Sequence, residues 1–302
     1  MPELPEVENV IRSLRPGLVG RRILDVELPP LGRNGRGGTI LQRILTDPPE
    51  EFRNRLLGGR VEAIRRHGKN LLITICPDGS DSGKLCLLVH LGMTGRLQFE
   101  GSPEPRRPHT HLIFSLDAPG RWLHYSDSRR FGKLRLTGEP AAELQQLGPD
   151  PLEISGKEFY ARLHRRRAML KSLLLDQRFL RGLGNIYADE SLFRAGIHPA
   201  ALGARLSHEQ ALRLYRAIRS TLRDAIELGG SSISSYVNAA GRPGRFQQVH
   251  QVYQRTGERC FRCGSPIRRC VIASRSTHYC PGCQRGGRRR MITYMRSGKR
   301  NH

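Results

Sequence analysis

Four of the seven cysteines form two close pairs, Cys260-x2-Cys263 and Cys280-x2-Cys283, with sixteen residues between the pairs. Each pair can form a knuckle, and four thiolates together bind one tetrahedral Zn²⁺ in a closed structural site. Iron in a rubredoxin-like site fits the same spacing, although the basic surroundings favour zinc. The region has too few apolar residues for a core of its own, so buried cysteines at chance spacing explain the pattern poorly. Cys270 lies between the pairs and is interpreted as a passive thiol.

The first residues, MPELPEVENV, contain a second set of groups that could do chemistry. Removal of Met1 would leave Pro2 with a free α-amine, whose reference pKa of about 7.7–8.0 lies far below the ~10.4 of lysine. Such an amine attacks carbonyl carbons to form a Schiff base, and Glu3 beside it could transfer protons. The residues alone leave this catalytic interpretation open beside a simpler one, in which the segment only begins a helix.

The simpler interpretation explains most of this segment. Pro5 suits the first turn of a helix, where its missing N–H would be unpaired anyway, and Glu6 suits the positive end of the helix dipole. The predicted helix has one apolar face, formed by Leu4, Val7, Ile11 and Leu14. A helix start does not explain Pro2.

The charge of the chain is strongly unbalanced. Its 302 residues include 51 Lys and Arg against 27 Asp and Glu, which gives a formal net charge of +24. Such an excess predicts a polyanionic partner, with nucleic acid favoured over a membrane surface. The chain begins with acidic residues and its longest apolar runs have the length of strands, so we expect neither a signal peptide nor a membrane span, but a cytosolic protein. The length allows two domains.

Short apolar segments separated by turn residues follow the first helix, a pattern typical of a β-sandwich or barrel. The predicted strands are residues 71–76, 84–91, 96–99, 109–116, 121–126 and 133–136. Cys76 and Cys86 lie in two of these runs and are expected to be small core residues. Two prolines within residues 147–155 mark a domain boundary.

Beyond this boundary the apolar residues have helical periodicity. Asn185 follows a glycine turn and is predicted to cap a helix, and Ser207 with Gln210 forms a capping box for a long helix that ends at Gly229. The turn before Asn185 is either an anion site at a helix N-terminus or an ordinary cap. Residues 229–251 are polar and rich in glycine and serine, which predicts a flexible loop.

Further residues have both a structural and a functional interpretation. Residues 164–171, HRRRAMLK, are either a solvated basic face or part of a phosphate site. Met93 and Phe131 lie in predicted turns and are expected to be partly buried, but an apolar side chain flanked by arginines also wedges into base stacks. Lys69 at a strand entrance is unremarkable by itself, and Arg275 at the tip of the ribbon hairpin could reach a phosphate.

Taken together, these stretches resemble the bacterial formamidopyrimidine-DNA glycosylase family. The similar motifs, in the order of the family and up to about residue 285, are PELPEVE, HGKNLL, HLGMTG, PHTHLIF, SDSRRFG, LLLDQ, GLGNIYADESLFRAGIHP, GGSS and the four-cysteine ribbon. The resemblance implies a bifunctional glycosylase and AP lyase of base excision repair. Such an enzyme removes 8-oxoguanine and formamidopyrimidines from damaged double-stranded DNA by β,δ-elimination, with one structural Zn²⁺ and no redox cofactor. It also implies a monomer in the bacterial cytoplasm, acting at the nucleoid, with no membrane partner.

The chemistry of the family assigns roles to five residues. Pro2 would attack C1′ of the damaged nucleoside and form the Schiff base, and Glu3 would donate and accept protons for base release and ring opening. Lys69 matches the lysine that assists β-elimination, and Arg275 matches the arginine linked to δ-elimination and phosphate contact. Glu6 matches a supporting carboxylate near the damaged nucleotide.

The resemblance also implies which residues bind DNA. Met93, Arg129 and Phe131 match the three residues that fill the void left by the flipped nucleotide, with Arg129 facing the orphaned base. Phosphate contacts are implied for His109, Arg129, Arg166 and Asn185, and Arg130 is expected to bind DNA from the same loop as Arg129.

The implied fold class is α+β: an N-terminal β-sandwich with its leading helix, a C-terminal helix–two-turn–helix domain and a zinc ribbon. The predicted domains are a catalytic sandwich (1–148), a helix–two-turn–helix domain (149–254) whose residues 229–251 form a flexible lesion loop, a zinc finger (255–285) and a basic disordered tail (286–302).

Three features depart from the pattern of the family. Ser234 stands where many relatives carry a basic residue, and the insertion around residues 31–50 is longer than in many of them. The arginine-rich tail beyond Cys283 exceeds the usual end of the family. It either adds salt-dependent phosphate affinity or is an inert extension.

Two other functions stay open. Endonuclease VIII shares Pro2, Glu3, the two-turn motif and the ribbon but prefers oxidised pyrimidines, and its void-filling residues differ from the MTG and RRF loops found here. A DNA-binding protein without catalysis would be expected to have lost Pro2, Glu3 or Lys69, and all three are present.

Overall fold

Helix α1 (Leu4–Leu18) begins directly after the N-terminal residues with catalytic potential in the computed structural model of the chain. Pro5 lies in its first turn, and the carboxylate of Glu6 accepts a hydrogen bond of 2.8 Å from the backbone N–H of Glu3. The predicted apolar face is confirmed, because every one of its four side chains is at most 1% exposed, namely Leu4, Val7, Ile11 and Leu14. Burial of these four side chains holds α1 in place.

The structure describes residues 1–28, 41–77, 83–118, 121–138, 142–233 and 236–286. The predicted tail after residue 286, Ser234 and residues 31–40 of the predicted insertion lie outside these ranges. The chain divides into two units, of which the first contains Met1–Gln146 and Ala225–Gln247 and the second contains the remainder.

A sandwich of two four-stranded antiparallel sheets forms most of the first unit. The strands are β1 (Ile23–Glu27), β2 (Arg60–His67), β3 (Asn70–Cys76), β4 (Leu85–His90), β5 (Arg96–Glu100), β6 (Thr110–Leu116), β7 (Trp122–Ser126) and β8 (Lys133–Thr137). One sheet has the order β1-β6-β7-β5 and the other has the order β2-β3-β4-β8. Both sheets contribute to one apolar core, for example through Phe114 and Ile73, and α1 adds Leu14 to it.

The predicted β-sandwich is confirmed, and each of the six predicted strands occurs with ends within one residue of the prediction. Strands β1 and β2 were not predicted. The apolar pattern of β2 is weak, because this strand carries only two fully buried apolar side chains, Val61 and Ile64, among charged residues. The prediction that Cys76 and Cys86 are core residues is wrong, since both are only half-buried. In β3 the burial alternates strictly, and Cys76 lies on the face opposite to the core residue Ile75.

Helices and a hairpin form the second unit. Besides α2 (Pro49–Leu56) and α3 (Ala142–Gln145) of the first unit, the helices are α4 (Gly156–His164), α5 (Leu170–Leu175), α6 (Asn185–Ala195) and α7 (His208–Glu227), and the hairpin strands are β9 (Arg268–Ile272) and β10 (Arg275–Tyr279). The last three residues of α7 belong to the first unit. No helix in the described part of the chain combines the length and the apolar character needed to cross a membrane.

The predicted helix starts of this unit have different outcomes. The capping box is confirmed, because the N–H of Ser207 donates to Gln210 Oε1 at 2.9 Å and the N–H of Gln210 donates to Ser207 Oγ at 3.2 Å. The prediction that Asn185 caps α6 is wrong, since Gly184 occupies the cap position. The side-chain amide of Asn185 donates instead to the carbonyl oxygen of Ser276 at 2.9 Å, so it connects α6 to the hairpin.

A buried ion pair connects α5 and α6 to β10. Lys171 Nζ lies 2.7 Å from Asp189 Oδ1, with both side chains fully buried, and it also donates to the carbonyl oxygen of Asn185 at 2.9 Å. The other oxygen of Asp189 accepts the backbone N–H of His278 at 2.9 Å and lies 3.0 Å from its ring Nδ1. Loss of Lys171 would leave a buried carboxylate without its cation.

We expect Lys171→Ala to lower the free energy of unfolding by about 3–5 kcal/mol, the range found when one partner of a buried ion pair is removed. Urea unfolding followed by circular dichroism measures this change. The matched control is Lys84→Ala, which breaks an exposed pair with Glu62 whose side chains are 63% and 45% exposed, and which should change stability little. Equal losses in the two variants would contradict the expectation.

Candidate active site and metal centre

The buried start of α1 brings the predicted catalytic residues of the first unit together. Pro2, Glu3 and Glu6 are buried there, and Lys69 lies in the two-residue turn between β2 and β3, buried as well. The side chain of Lys69 is close enough to act electrostatically on the terminal amine of Met1, as are those of Glu3, Glu6 and Arg129. The structure therefore places an amine, two carboxylates and two cationic side chains close together.

Burial lowers the pKa of the Met1 amine from its ordinary value. The carboxylates of Glu3 and Glu6 act in the opposite direction, and the charges of Lys69 and Arg129 add to the lowering. A terminal amine in this position is therefore neutral, and nucleophilic, to a lower pH than an amine in water.

Glu6 fixes this group by accepting hydrogen bonds from two distant parts of the backbone. One carboxylate oxygen accepts the N–H of Glu3 at 2.8 Å, and the other accepts the N–H of Ser231 at 2.7 Å. Gly230 has a φ of +85°, and a Cβ added there would lie 2.8 Å from Glu6 Oε1. The hydroxyl of Tyr236 donates to the carbonyl oxygen of Glu6 at 3.2 Å. Part of the segment predicted to be a flexible loop is thus bonded to the start of α1.

The predicted void-filling residues lie in two turns of the first unit. Met93 is 40% exposed and Phe131 is 53% exposed. The guanidinium of Arg129 lies 4.7 Å from the centre of the Phe131 ring. Arg130 between them is half-buried and has a φ of 57°, in the left-handed region. The exposed side chains of Met93, Arg129 and Phe131 can therefore contact a ligand.

A basic cavity lies beside His109, a predicted phosphate contact. It has a volume of about 350 Å³, and Arg96 and Arg107 line it together with His109. Sequence reasoning did not single out Arg96 or Arg107, because nothing distinguishes them from the many other arginines of the chain. The buried residue Asp127 also lines the cavity, and Arg107 is paired with Glu100 at an Nε–Oε1 distance of 2.6 Å. Arg96 and His109 are therefore the lining side chains best placed to receive an anion.

The remaining predicted DNA contacts belong to the second unit. Arg166 is exposed just after the end of α4. Arg275 is exposed at the start of β10, directly after a two-residue turn in which Ala273 and Ser274 have φ values of 52° and 57°. Positive φ at both positions is the geometry of tight hairpin turns. Arg275 therefore lies at the tip of the hairpin, where the sequence placed it.

The four predicted metal ligands lie together, with their sulfur atoms all within 4.8 Å of one another. Cys260 and Cys283 have an Sγ–Sγ distance of 3.8 Å, and Cys263 and Cys280 have one of 3.3 Å. Zn–S bonds of about 2.3 Å in a tetrahedron require sulfur atoms about 3.8 Å apart, so the cluster needs only small adjustments to hold one ion.

The surroundings shift the pKa values of the cluster thiols in both directions. Hydrogen bonds from the side chain and backbone of Ser265 lower the pKa of Cys263 to about 6, whereas burial raises the pKa of Cys280 and of Cys283. Burial raises the pKa of Cys270 to about 11, which keeps this thiol protonated, and Cys270 lies outside the cluster.

Three family models match successive parts of the chain. The N-terminal domain of formamidopyrimidine-DNA glycosylase matches residues 1–134, its H2TH domain matches residues 147–237, and the zinc finger found in FPG and IleRS matches residues 257–286. A formamidopyrimidine-DNA glycosylase of Solibacter usitatus is 49% identical over 285 residues, which cover 94% of this chain and 100% of the relative. The chain belongs to the formamidopyrimidine-DNA glycosylase family.

Solved structures of the family agree with the fold. The MutM (FPG) protein of Thermus thermophilus is 40% identical, covers 95% of this chain and 100% of its own, and has a TM-score of 0.78. A Lactococcus lactis FPG mutant in complex with Fapy-dG-containing DNA is 34% identical, covers 94% of this chain and 100% of its own, and has a TM-score of 0.81. Complexes of the Lactococcus lactis protein with DNA containing an abasic site or an oxidised pyrimidine are equally similar in fold.

The three matching family models agree with the fold and with the cluster of four cysteines. The chain has the α+β fold of the family, with a sandwich, an H2TH domain and a zinc finger. The four cysteines are positioned to bind one structural zinc ion. The apolar core beside the cysteines is small and is formed around Phe193, Val252 and Ile267. Bound zinc would therefore be needed to hold the two knuckles together.

We expect Cys280→Ser to abolish zinc binding, because three thiolates and a hydroxyl form a much weaker site for this ion. The zinc content of purified protein, measured by mass spectrometry of the metal, should fall from about one ion per chain to nearly none. Cys270→Ser is the matched control, since it removes a thiol of the same hairpin that lies outside the cluster. Equal zinc contents in Cys280→Ser and the control would exclude the assigned ligand set.

Proposed function

We propose that this chain is a bifunctional DNA glycosylase and AP lyase of base excision repair that removes 8-oxoguanine and formamidopyrimidines from duplex DNA. The observation that carries this proposal is the buried group of Pro2, Glu3, Glu6 and Lys69 around the terminal amine, in a chain that belongs to the formamidopyrimidine-DNA glycosylase family. Each residue of the group has a step to perform in the reaction.

Base removal uses Pro2 as the nucleophile. Hydrolysis of the Met1–Pro2 bond frees the secondary amine, and its lone pair attacks C1′ of the damaged nucleoside. The glycosidic bond breaks, and the base leaves with the bonding electrons and takes up a proton. The proton that Pro2 loses as the new C–N bond forms passes to Glu3, which donates a proton to the sugar-ring oxygen as the ring opens. Ring opening leaves an iminium, the protonated Schiff base, between Pro2 and C1′.

Strand cleavage follows by two eliminations. The iminium makes the proton on C2′ more acidic. Removal of this proton expels the 3′-phosphate, and Lys69 assists this step. A second elimination expels the 5′-phosphate and leaves a gap with phosphate ends. Arg275, exposed at the tip of its hairpin, contacts phosphate in this step. No oxidant or reductant is consumed.

DNA contacts flip the damaged nucleotide out of the stack, because C1′ is inaccessible in a duplex. Met93, Arg129 and Phe131 fill the void, and their exposed side chains support this role. Phosphate contacts are made by His109, Arg129, Arg166 and Asn185, and Arg130 also binds DNA. Complexes of relatives with DNA that contains Fapy-dG or an abasic site support damaged DNA as the partner.

The proposal includes the setting in which the enzyme works. It acts as a monomer in the cytoplasm and has no membrane partner. The formal net charge of +24 favours association with a polyanion and predicts that binding weakens steeply as salt is added.

The proposed nucleophile can be trapped. We expect protein that starts at Pro2 to give, with borohydride and a duplex containing 8-oxoguanine opposite cytosine, a covalent adduct that peptide mass spectrometry locates on Pro2. The cut strand should carry phosphates at both ends. The matched control is the same protein with Met1 retained behind an N-terminal tag, which has no free amine at Pro2 and should form no adduct.

The alternative outcomes separate the other functions. An adduct on Pro2 with an oxidised pyrimidine but none with 8-oxoguanine would indicate an endonuclease VIII-like specificity. This substrate belongs in the test because a complex of the Lactococcus lactis relative contains an oxidised pyrimidine. No adduct with either lesion or with an abasic site would leave only a DNA-binding protein.

Burial should also shift the pH dependence of trapping. A terminal amine at the start of α1 has a lowered pKa because burial disfavours its charged form, so its neutral form persists to lower pH. We expect trapping on an abasic-site oligonucleotide to reach half its maximum at a lower pH for the protein than for the unfolded peptide PELPEV. Equal midpoints for protein and peptide would contradict this expectation.

A further inference from the structure

We propose that Asp127 is a positioning residue that holds the two void-filling turns in one fixed arrangement. These turns, here named the wedge loops, are residues 91–95, which carry Met93, and residues 127–132, which carry Arg129 and Phe131. The inference rests on the proposed function, because it assigns a further residue to the flipping of the damaged nucleotide.

The carboxylate of Asp127 is 1% exposed and accepts hydrogen bonds from both wedge loops. Oδ1 accepts the hydroxyl of Thr94, the neighbour of Met93, and also the backbone N–H of Arg129 at 3.2 Å. Oδ2 accepts the backbone N–H of Gly132, the neighbour of Phe131, at 2.8 Å. One buried side chain is thus bonded beside each of the three void-filling residues.

Further bonds fix Asp127 itself. Its backbone N–H donates to the carbonyl oxygen of His109 at 3.0 Å, and its carbonyl oxygen lies 2.9 Å from His111 Nε2. The hydroxyl of Tyr125 lies 3.4 Å from Oδ2. The donors to the carboxylate are neutral hydroxyl and N–H groups, and no lysine or arginine side chain among the described residues forms an ion pair with it. The charge of Asp127 therefore serves to strengthen these bonds.

The two wedge loops also touch each other through their backbones. A Cβ added to Gly92 would lie 2.5 Å from the backbone carbon of Phe131, so the loops are in direct contact. The backbone N–H of Arg129 donates to Thr94 Oγ1 at 3.1 Å as well. Arg130 has a φ of 57°, a left-handed conformation that costs energy in residues other than glycine and persists only where neighbours hold it.

This arrangement has a consequence for nucleotide flipping. The buried carboxylate of Asp127 holds the wedge loops in place, while the side chains of Met93 and Phe131 remain exposed. A wedge that is already ordered avoids the entropy cost of ordering it when DNA binds. Loss of Asp127 should therefore affect removal of a base from a stacked duplex more than chemistry on a nucleotide that needs no flipping.

The test is Asp127→Asn, which keeps the shape of the side chain. One of its two terminal atoms becomes an amide nitrogen, which cannot accept the N–H or hydroxyl donors that face it. In single-turnover experiments we expect excision of 8-oxoguanine from a duplex to slow about 10- to 100-fold, as misplacement of positioning groups by about 1 Å can produce. Cleavage at an abasic site in single-stranded DNA should change little.

The ratio of the two rates, measured on one protein sample, cancels any loss of folded protein. The matched control is Asp47→Asn in the same unit, because the carboxylate of Asp47 also accepts a backbone N–H, that of Leu136 at 2.9 Å, and a threonine hydroxyl, that of Thr46 at 3.3 Å. Its ratio should equal that of the unchanged protein. Thr94→Val, which removes one of the donors, should lower the ratio in the same direction by a smaller factor.

Each outcome is decisive. An unchanged ratio in Asp127→Asn, or an equal fall of both rates, overturns the inference and leaves the proposed function intact. If the unchanged protein neither excises the lesion nor cleaves the abasic site, the proposed function itself fails, and the inference fails with it.

Discussion

The two hydrogen bonds that the Glu6 carboxylate accepts determine where the chain starts, and the proposed chemistry depends on that position. Chain termini usually fray because few contacts hold them. Here the N–H groups of Glu3 and Ser231 both donate to Glu6, so a segment that follows the last long helix holds the first residues in place. The terminal amine consequently lies among charged groups, where partial burial lowers its pKa.

Buried carboxylates that accept backbone N–H groups recur in both units. Asp127 joins the wedge loops in the first unit, and in the second unit Glu190 accepts the N–H groups of Gln251, Val252 and Tyr253, where the chain enters the zinc finger. Asp189 likewise holds the backbone of His278 in the hairpin. Several acidic side chains of this chain are therefore buried and bonded to backbone N–H groups. Many arginine side chains remain at the surface of a chain with a formal net charge of +24, where they can contact a polyanion.

The features that the sequence predicted are those with a local pattern. The apolar face of α1, six strands of the sandwich, the capping box at Ser207 and the two cysteine pairs all depend on spacings of a few residues, and the structure has each of them. Strand β2 was missed because its charged residues hide the alternation. The bonds from Glu6 to Ser231 and from Asp127 to Thr94 were missed because they join residues 225 and 33 positions apart. In the sequence such acids resemble any surface carboxylate.

The close approach of Gly230 to Glu6 limits which residues the segment after α7 can carry. Any side chain at position 230 would collide with the carboxylate and would also have to adopt a positive φ. Position 230 is therefore restricted to glycine, and Tyr236 farther along the segment is held as well, because its hydroxyl donates to the carbonyl oxygen of Glu6. A substitution at position 230 would displace the carboxylate that accepts the N–H of Glu3, so variation in this segment is coupled to the position of the first residues of the chain.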